Sequence, residues 1–224
     1  MKKTLIVISL FACSFLLVLY FNNNGSASAA TEKQINDSFA AIEEKINKEV
    51  SLRSEISYSS NPYDYIKNND DFENIIKLGN DAIPILDQKL STSEKNGLQE
   101  YITAIAIERI AKVDLKGTST FWESGKDFST KWKAHIKSIP LSIDTILLNT
   151  QTSSGEKVKK IIELGTPAIP FIADKIESGD ESIFPALLEL TKGTENIIVD
   201  GDKKEWVVSH KSEFKSLKDY VLQK

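Results

Sequence analysis

Residues 75–90 read IIKLGNDAIPILDQKL, and residues 161–176 read IIELGTPAIPFIADKI. Ile75/Ile161, Ile76/Ile162, Leu78/Leu164, Gly79/Gly165, Ala82/Ala168, Ile83/Ile169, Pro84/Pro170 and Lys89/Lys175 are identical, and most of the other pairs are conservative. A phrase repeated at this separation is the mark of stacked helical hairpins, because one hairpin cannot bury its apolar face alone. Each copy reads as the end of one helix, a tight turn and the start of another. The glycine supplies the left-handed residue that ends the first helix. Asn80 or Asp81 opens the next helix in copy one. In copy two Thr166 is expected as the N-cap and Pro167 at the first helical position, where its missing N–H matters little. Pro84 and Pro170 fall within the first turn, and Ile83, Leu86 and Leu90, like Ile169, Ile172 and Ile176, are expected to face inward.

Working outward, each half continues with a third helix. One covers 98–113 with Ile102, Ile105, Ile107 and Ile110; the other covers 182–192 with Ile183, Leu187 and Leu190. Each half then closes on a tryptophan-bearing helix. The first spans 129–139 with Trp132 and stops at Pro140, ahead of a short helix over 141–148. The second runs from Asp202 to Leu222 with Trp206. Upstream, Thr31 and Gln34 form a capping box, and Ile35, Phe39, Ile42, Ile46 and Val50 recur at helical spacing to about Ile56. This amphipathic helix is expected to pack on the first repeat. Only Ile197-Ile198-Val199 hints at a strand, and it is too short for a sheet. The expected class is all-α, with two pseudo-equivalent lobes. The division is a signal peptide over 1–29, an amphipathic helix over 30–57, a first lobe over 58–150 and a second over 151–224.

The Leu-Gly turn followed by Ala-Ile-Pro resembles the turn of bacterial HEAT-like repeats. Gly125-Lys126-Asp127-Phe128 followed by Trp132 looks like the segment that often comes after such repeats. The resemblance implies an interaction scaffold. The 86-residue separation of the copies is about twice a HEAT period, which favours two lobes over a smooth superhelix.

Lys2 and Lys3, the apolar run 4–21 and the small-x-small site Ala27-Ser28-Ala29 have the form of a secretory leader, with cleavage expected near Ala29 or Ala30. An uncleaved membrane anchor is the alternative. Cys13 is the only cysteine and lies in the apolar run. Phe11 and the apolar residues beyond it argue against a lipidation site. The processed chain then has no disulfide, thiol nucleophile or cysteine–metal site. Removing Lys2 and Lys3 from the 28 basic residues leaves 26 against 32 acidic ones, a net charge of −6. That balance argues against nucleic acid and anionic lipid as partners.

Catalytic and cofactor motifs are lacking. His135 and His210 each follow a tryptophan, at Trp132 and Trp206, but lie too far apart to signal a metal site and read as surface residues. Asp200-Gly201-Asp202 fails the calcium-loop pattern and reads as a turn in which Asp202 caps the next helix. Tyr63, Tyr65, Trp122, Trp132 and Trp206 are the candidate partner contacts if they line a groove; otherwise they are core. Asn61-Pro62-Tyr63-Asp64-Tyr65 is the most distinctive loop. The expected function is an exported, non-enzymatic scaffold from a Gram-positive bacterium that binds a protein. The alternatives are a hydrolase of cell-wall or extracellular polymer using carboxylates between the lobes, and an immunity or inhibitor protein for one partner.

Overall fold

The computed structural model describes residues 28–117, 121–192 and 201–224, and no β-strand forms among them. The expected leader run, Cys13, the Ile197–Val199 segment and Asp200 lie outside the described residues. Eleven α-helices follow one another among the described residues. They are α1 (28–52), α2 (Pro62–Ile66), α3 (Asp70–Lys77), α4 (Ala82–Thr92), α5 (Leu98–Ala111), α6 (Gly125–Leu148), α7 (Ser154–Ile162), α8 (Ile169–Glu177), α9 (Phe184–Thr191), α10 (Lys203–His210) and α11 (Lys215–Leu222). The all-α expectation is met. No described helix is long and apolar enough to cross a membrane.

The two copies of the repeated phrase fold alike. Gly79 (φ 63°) and Gly165 (φ 79°) take the left-handed conformation, and a single 3₁₀ turn then leads into α4 or α8. Ala82 and Ala168 are both fully buried, as are the expected inward residues of the following helices. Thr166, however, does not cap α8. The 3₁₀ turn already occupies the amides of Ala168 and Ile169, and Pro167 and Pro170 have none to satisfy. Its hydroxyl instead donates to Asn80 Oδ1 at 2.6 Å. Asn80 is the residue aligned with Thr166, so the two turns meet each other inside the protein.

Further expectations are corrected. Thr31 is inside α1, which is helical from residue 28, because Ala29 and Ala30 are the strongest helix formers. The helix ends at 52, at the left-handed Arg53, and not at Ile56. Pro140 does not end a helix: α6 runs 24 residues through it. Only one backbone bond is lost there, and Ile136, Ile139 and Ile143, all fully buried, hold both sides of the proline in register. Asn61–Tyr65 is no loop, since Pro62 opens α2 and the Asn61 side chain accepts the Tyr63 amide at 3.2 Å. Finally, 202–222 is two helices. The break at 211–214 lets both α10 and α11 lie against α8. Asp202 caps α10 as expected, accepting the amides of Lys204 and Glu205.

α1 lies on the first half, burying Ile35, Phe39 and Ile42. Lys45 pairs with Asp71 and Glu32 with Lys89. Val50, two turns beyond Ile42, is 53% exposed. The buried side chains of both halves form one continuous cluster. Besides the bond between the two turns, further polar links join the halves. Lys112, left-handed at φ 54°, ends α5 and sends its ammonium to the carbonyls of Leu190 (2.9 Å) and Lys192 (2.7 Å), at the C-terminal end of α9. His135 Nε2 meets the Leu164 carbonyl at 3.0 Å. Trp132 Nε1 donates to the Tyr220 hydroxyl (2.7 Å), which donates to Asp87 (2.9 Å).

Candidate functional site

Of the five aromatic candidates, the structure buries two outright. Trp122 and Trp132 are wholly inaccessible and cannot touch a partner, which corrects their place among the contacts. Their indole N–H groups are also spent, on Glu108 and Tyr220. Trp206 is half-buried, stacked on His210 at 4.1 Å and edge-on to Phe184. Tyr65 is half-buried and donates its hydroxyl to the Ser59 carbonyl, closing the turn before α2. Tyr63 alone of the five is exposed, at 41%.

The histidines are not plain surface residues. His135 is half-buried beside Trp132, and burial pushes its pKa below the ordinary value, against the smaller opposing pull of the Leu164 carbonyl. A histidine held neutral in the folded state takes up a proton only on unfolding. Its contribution is therefore intact above the unfolded pKa of about 6.5 and is lost as pH falls below it. Glu108 pulls the opposite way, since its raised pKa favours folding as pH falls. The difference between the wild type and His135→Gln isolates the histidine. Urea midpoints measured from about pH 7 to about pH 5 are expected to fall more steeply for the wild type than for the variant. Parallel curves would remove His135 as the cause. No cluster of potential metal ligands exists among the described residues.

Tyr63 stands at the rim of a groove of about 410 Å³ between α2, α3, α5 and the residues just after α5. Asp64, Glu73, Glu108 and Asp114 line it, with Lys67 and Arg109 as the cations. Glu73 and Arg109 form a two-pronged pair at 2.7 and 3.0 Å, which holds the Glu73 carboxyl below its usual range. Glu108 is 8% exposed. Its Oε1 accepts the amides of Leu115 (2.8 Å) and Lys116 (3.2 Å) and the Trp122 indole (3.0 Å). Burial nevertheless pushes its carboxyl up, further than those donors pull it down, and Asp114 adds to the rise.

Behind the rim lies a second arrangement. The Lys116 ammonium sits over Trp122 (4.3 Å) and Tyr101 (4.4 Å), with Tyr63 (5.5 Å) and Phe121 (5.7 Å) further off. Burial lowers its pKa. Sequence reasoning singles out neither Glu108 nor Lys116. The available signal is a glutamate within the apolar run of α5, at a position facing the core.

Other grooves are present. One of about 200 Å³ lies between α1 and α5, with Phe39, Ile46 and Leu98 in its wall. One of about 530 Å³ has Pro170, Ala173, Phe214 and Leu222 in its wall, and its lysines are paired with acids: Lys218 with Asp174, Lys215 with Asp219. Each of these grooves is lined from a single half of the chain. Comparison with known proteins returned no match: no family model, no curated protein and no solved structure is similar to this chain.

Proposed function

We propose that this chain is a HEAT-like helical-repeat module that acts outside the cytoplasm, where it holds a protein partner without catalysing a reaction on it. The observation that carries the reading is the groove below Tyr63: a half-exposed aromatic ring above a set of carboxylates, on rigid helices, is the composition of a recognition surface. The repeated hairpins supply the scaffold and the leader-like first residues supply the address. The hydrolase reading has less support. Glu73 spends both oxygens on Arg109, so it is not a free acid–base group.

A photo-reactive amino acid in place of Tyr63 tests the reading, with one in place of Leu148, 80% exposed on α6, as the control. Irradiation with envelope and medium proteins is expected to give one recurrent adduct from position 63 and none from position 148. Equal, scattered adducts from both positions would remove the groove as the binding surface. The export half is checked by the mass of the chain recovered outside expressing cells, expected to start near Ala29 or Ala30.

A further inference from the structure

We propose that two copies of this chain associate through the last two turns of α1, packed antiparallel about a two-fold axis at Lys48. The contact is separate from the groove below Tyr63 and goes beyond the binding-module reading. The apolar stripe of α1 carries it. Ile35, Phe39 and Ile42 are buried on the first half of the protein, but Ile46, at the same spacing, is only half-buried and Val50 is exposed. Leu52, Ile56 and Tyr58 follow, all exposed. Four of the ten large apolar side chains exposed among the described residues therefore fall within residues 50–58, and a cluster of this kind is a contact surface where scattered exposure is not. The groove between α1 and α5, which Ile46 also lines, extends the same apolar surface.

The order of residues in this stretch selects a second copy as the occupant. With Lys48 at the axis of an antiparallel pair, Val50 of one copy stands level with Ile46 of the other, and Ile46 with Val50. The same register sets Glu43 level with Arg53 of the second copy, and the symmetry supplies that pair twice. Glu43 and Arg53 are exposed, and among the described residues neither has an ion pair within its own chain. Lys48 lies two residues beyond Ile46, about 200° round the helix, so the lysines of the two copies point away from the seam. A surface whose apolar and charged positions match its own antiparallel image is what an isologous contact requires. A partner of one charge sign would leave either Glu43 or Arg53 unanswered.

Sedimentation velocity of the purified chain over a concentration series is expected to show a monomer–dimer equilibrium. Val50→Lys is expected to raise its dissociation constant about tenfold or more. Glu43→Arg and Arg53→Glu are each expected to weaken association about fivefold, and the double reversal, which restores both pairs with their signs exchanged, to recover most of that loss. All three positions are exposed, so these variants are expected to fold, and unchanged circular dichroism and urea midpoints check it. A chain that stays monomeric throughout the series would overturn the proposal. So would a dimer indifferent to Val50→Lys, or charge reversals whose losses simply add. The crosslinking from position 63 is read separately: its failure leaves the dimer standing, and a monomeric chain leaves the groove standing.

Discussion

Gly165→Ala is expected to destabilise this protein by about 2–5 kcal/mol, enough to leave much of the chain unfolded. Two separate effects add at this position. The backbone is left-handed at φ 79°, where an L side chain loses about 1–2 kcal/mol. A Cβ would also stand 2.3 Å from the Ala111 carbonyl oxygen and 2.4 Å from Val113 Cγ1. The first neighbour is backbone at the end of α5, so relief requires moving a helix, at about 1–3 kcal/mol for overpacking. Gly179→Ala separates the two effects. It too has a positive φ, 108°, but a Cβ there would meet nothing within 4 Å. It should lose only the conformational share. Urea unfolding of the two variants checks the difference, and equal losses would show that close approach at residue 165 is not what selects glycine there.

That comparison also shows what the sequence makes legible and what it does not. Composition and period reveal the helices because one face of each must leave water: Ile83, Leu86 and Leu90, or Ile169, Ile172 and Ile176, are assigned to the core from spacing alone. The glycines at 79 and 165 are legible for the same local reason. Pro140 and Thr166 defeat local rules because their outcome is decided by packing with other parts of the chain. Buried isoleucines flank Pro140 on both sides, and Asn80 competes for the Thr166 hydroxyl. The groove is half legible. Tyr63 and Asp64 stand out as a distinctive phrase, but Glu108 and Asp114 join them only when α5 packs against α2. The fate of the tryptophans is likewise undecided locally. Trp122 reaches Glu108 across 14 residues and Trp132 reaches Tyr220 across 88, distances over which no periodicity operates.

Tyr220→Phe is expected to lower stability by about 2–4 kcal/mol, although it removes a single oxygen. That oxygen serves two buried groups at once. It accepts the indole N–H of Trp132, which has no access to solvent, and it donates to Asp87, which is 3% exposed. Deleting it leaves a donor without an acceptor and leaves the carboxylate to Lys224 alone, 2.6 Å away. The phenol stays protonated into strongly alkaline solution because burial, and then the Asp87 charge, push its pKa up. Its contribution is therefore lost only as pH rises past the unfolded tyrosine value of about 10. Asp87→Leu is expected to be the milder change, because it removes the buried charge together with its need for partners and leaves the Trp132–Tyr220 bond in place. The double variant should then be less damaged than the sum of the singles by about 1–3 kcal/mol, since the hydroxyl has only one buried group left to serve once the carboxylate is gone. Strict additivity in denaturant unfolding would mean that the chain of bonds from α6 through α11 to α4 does not act as a unit. A coupling of the expected size would make α11 the element that locks the first half of the protein to the second.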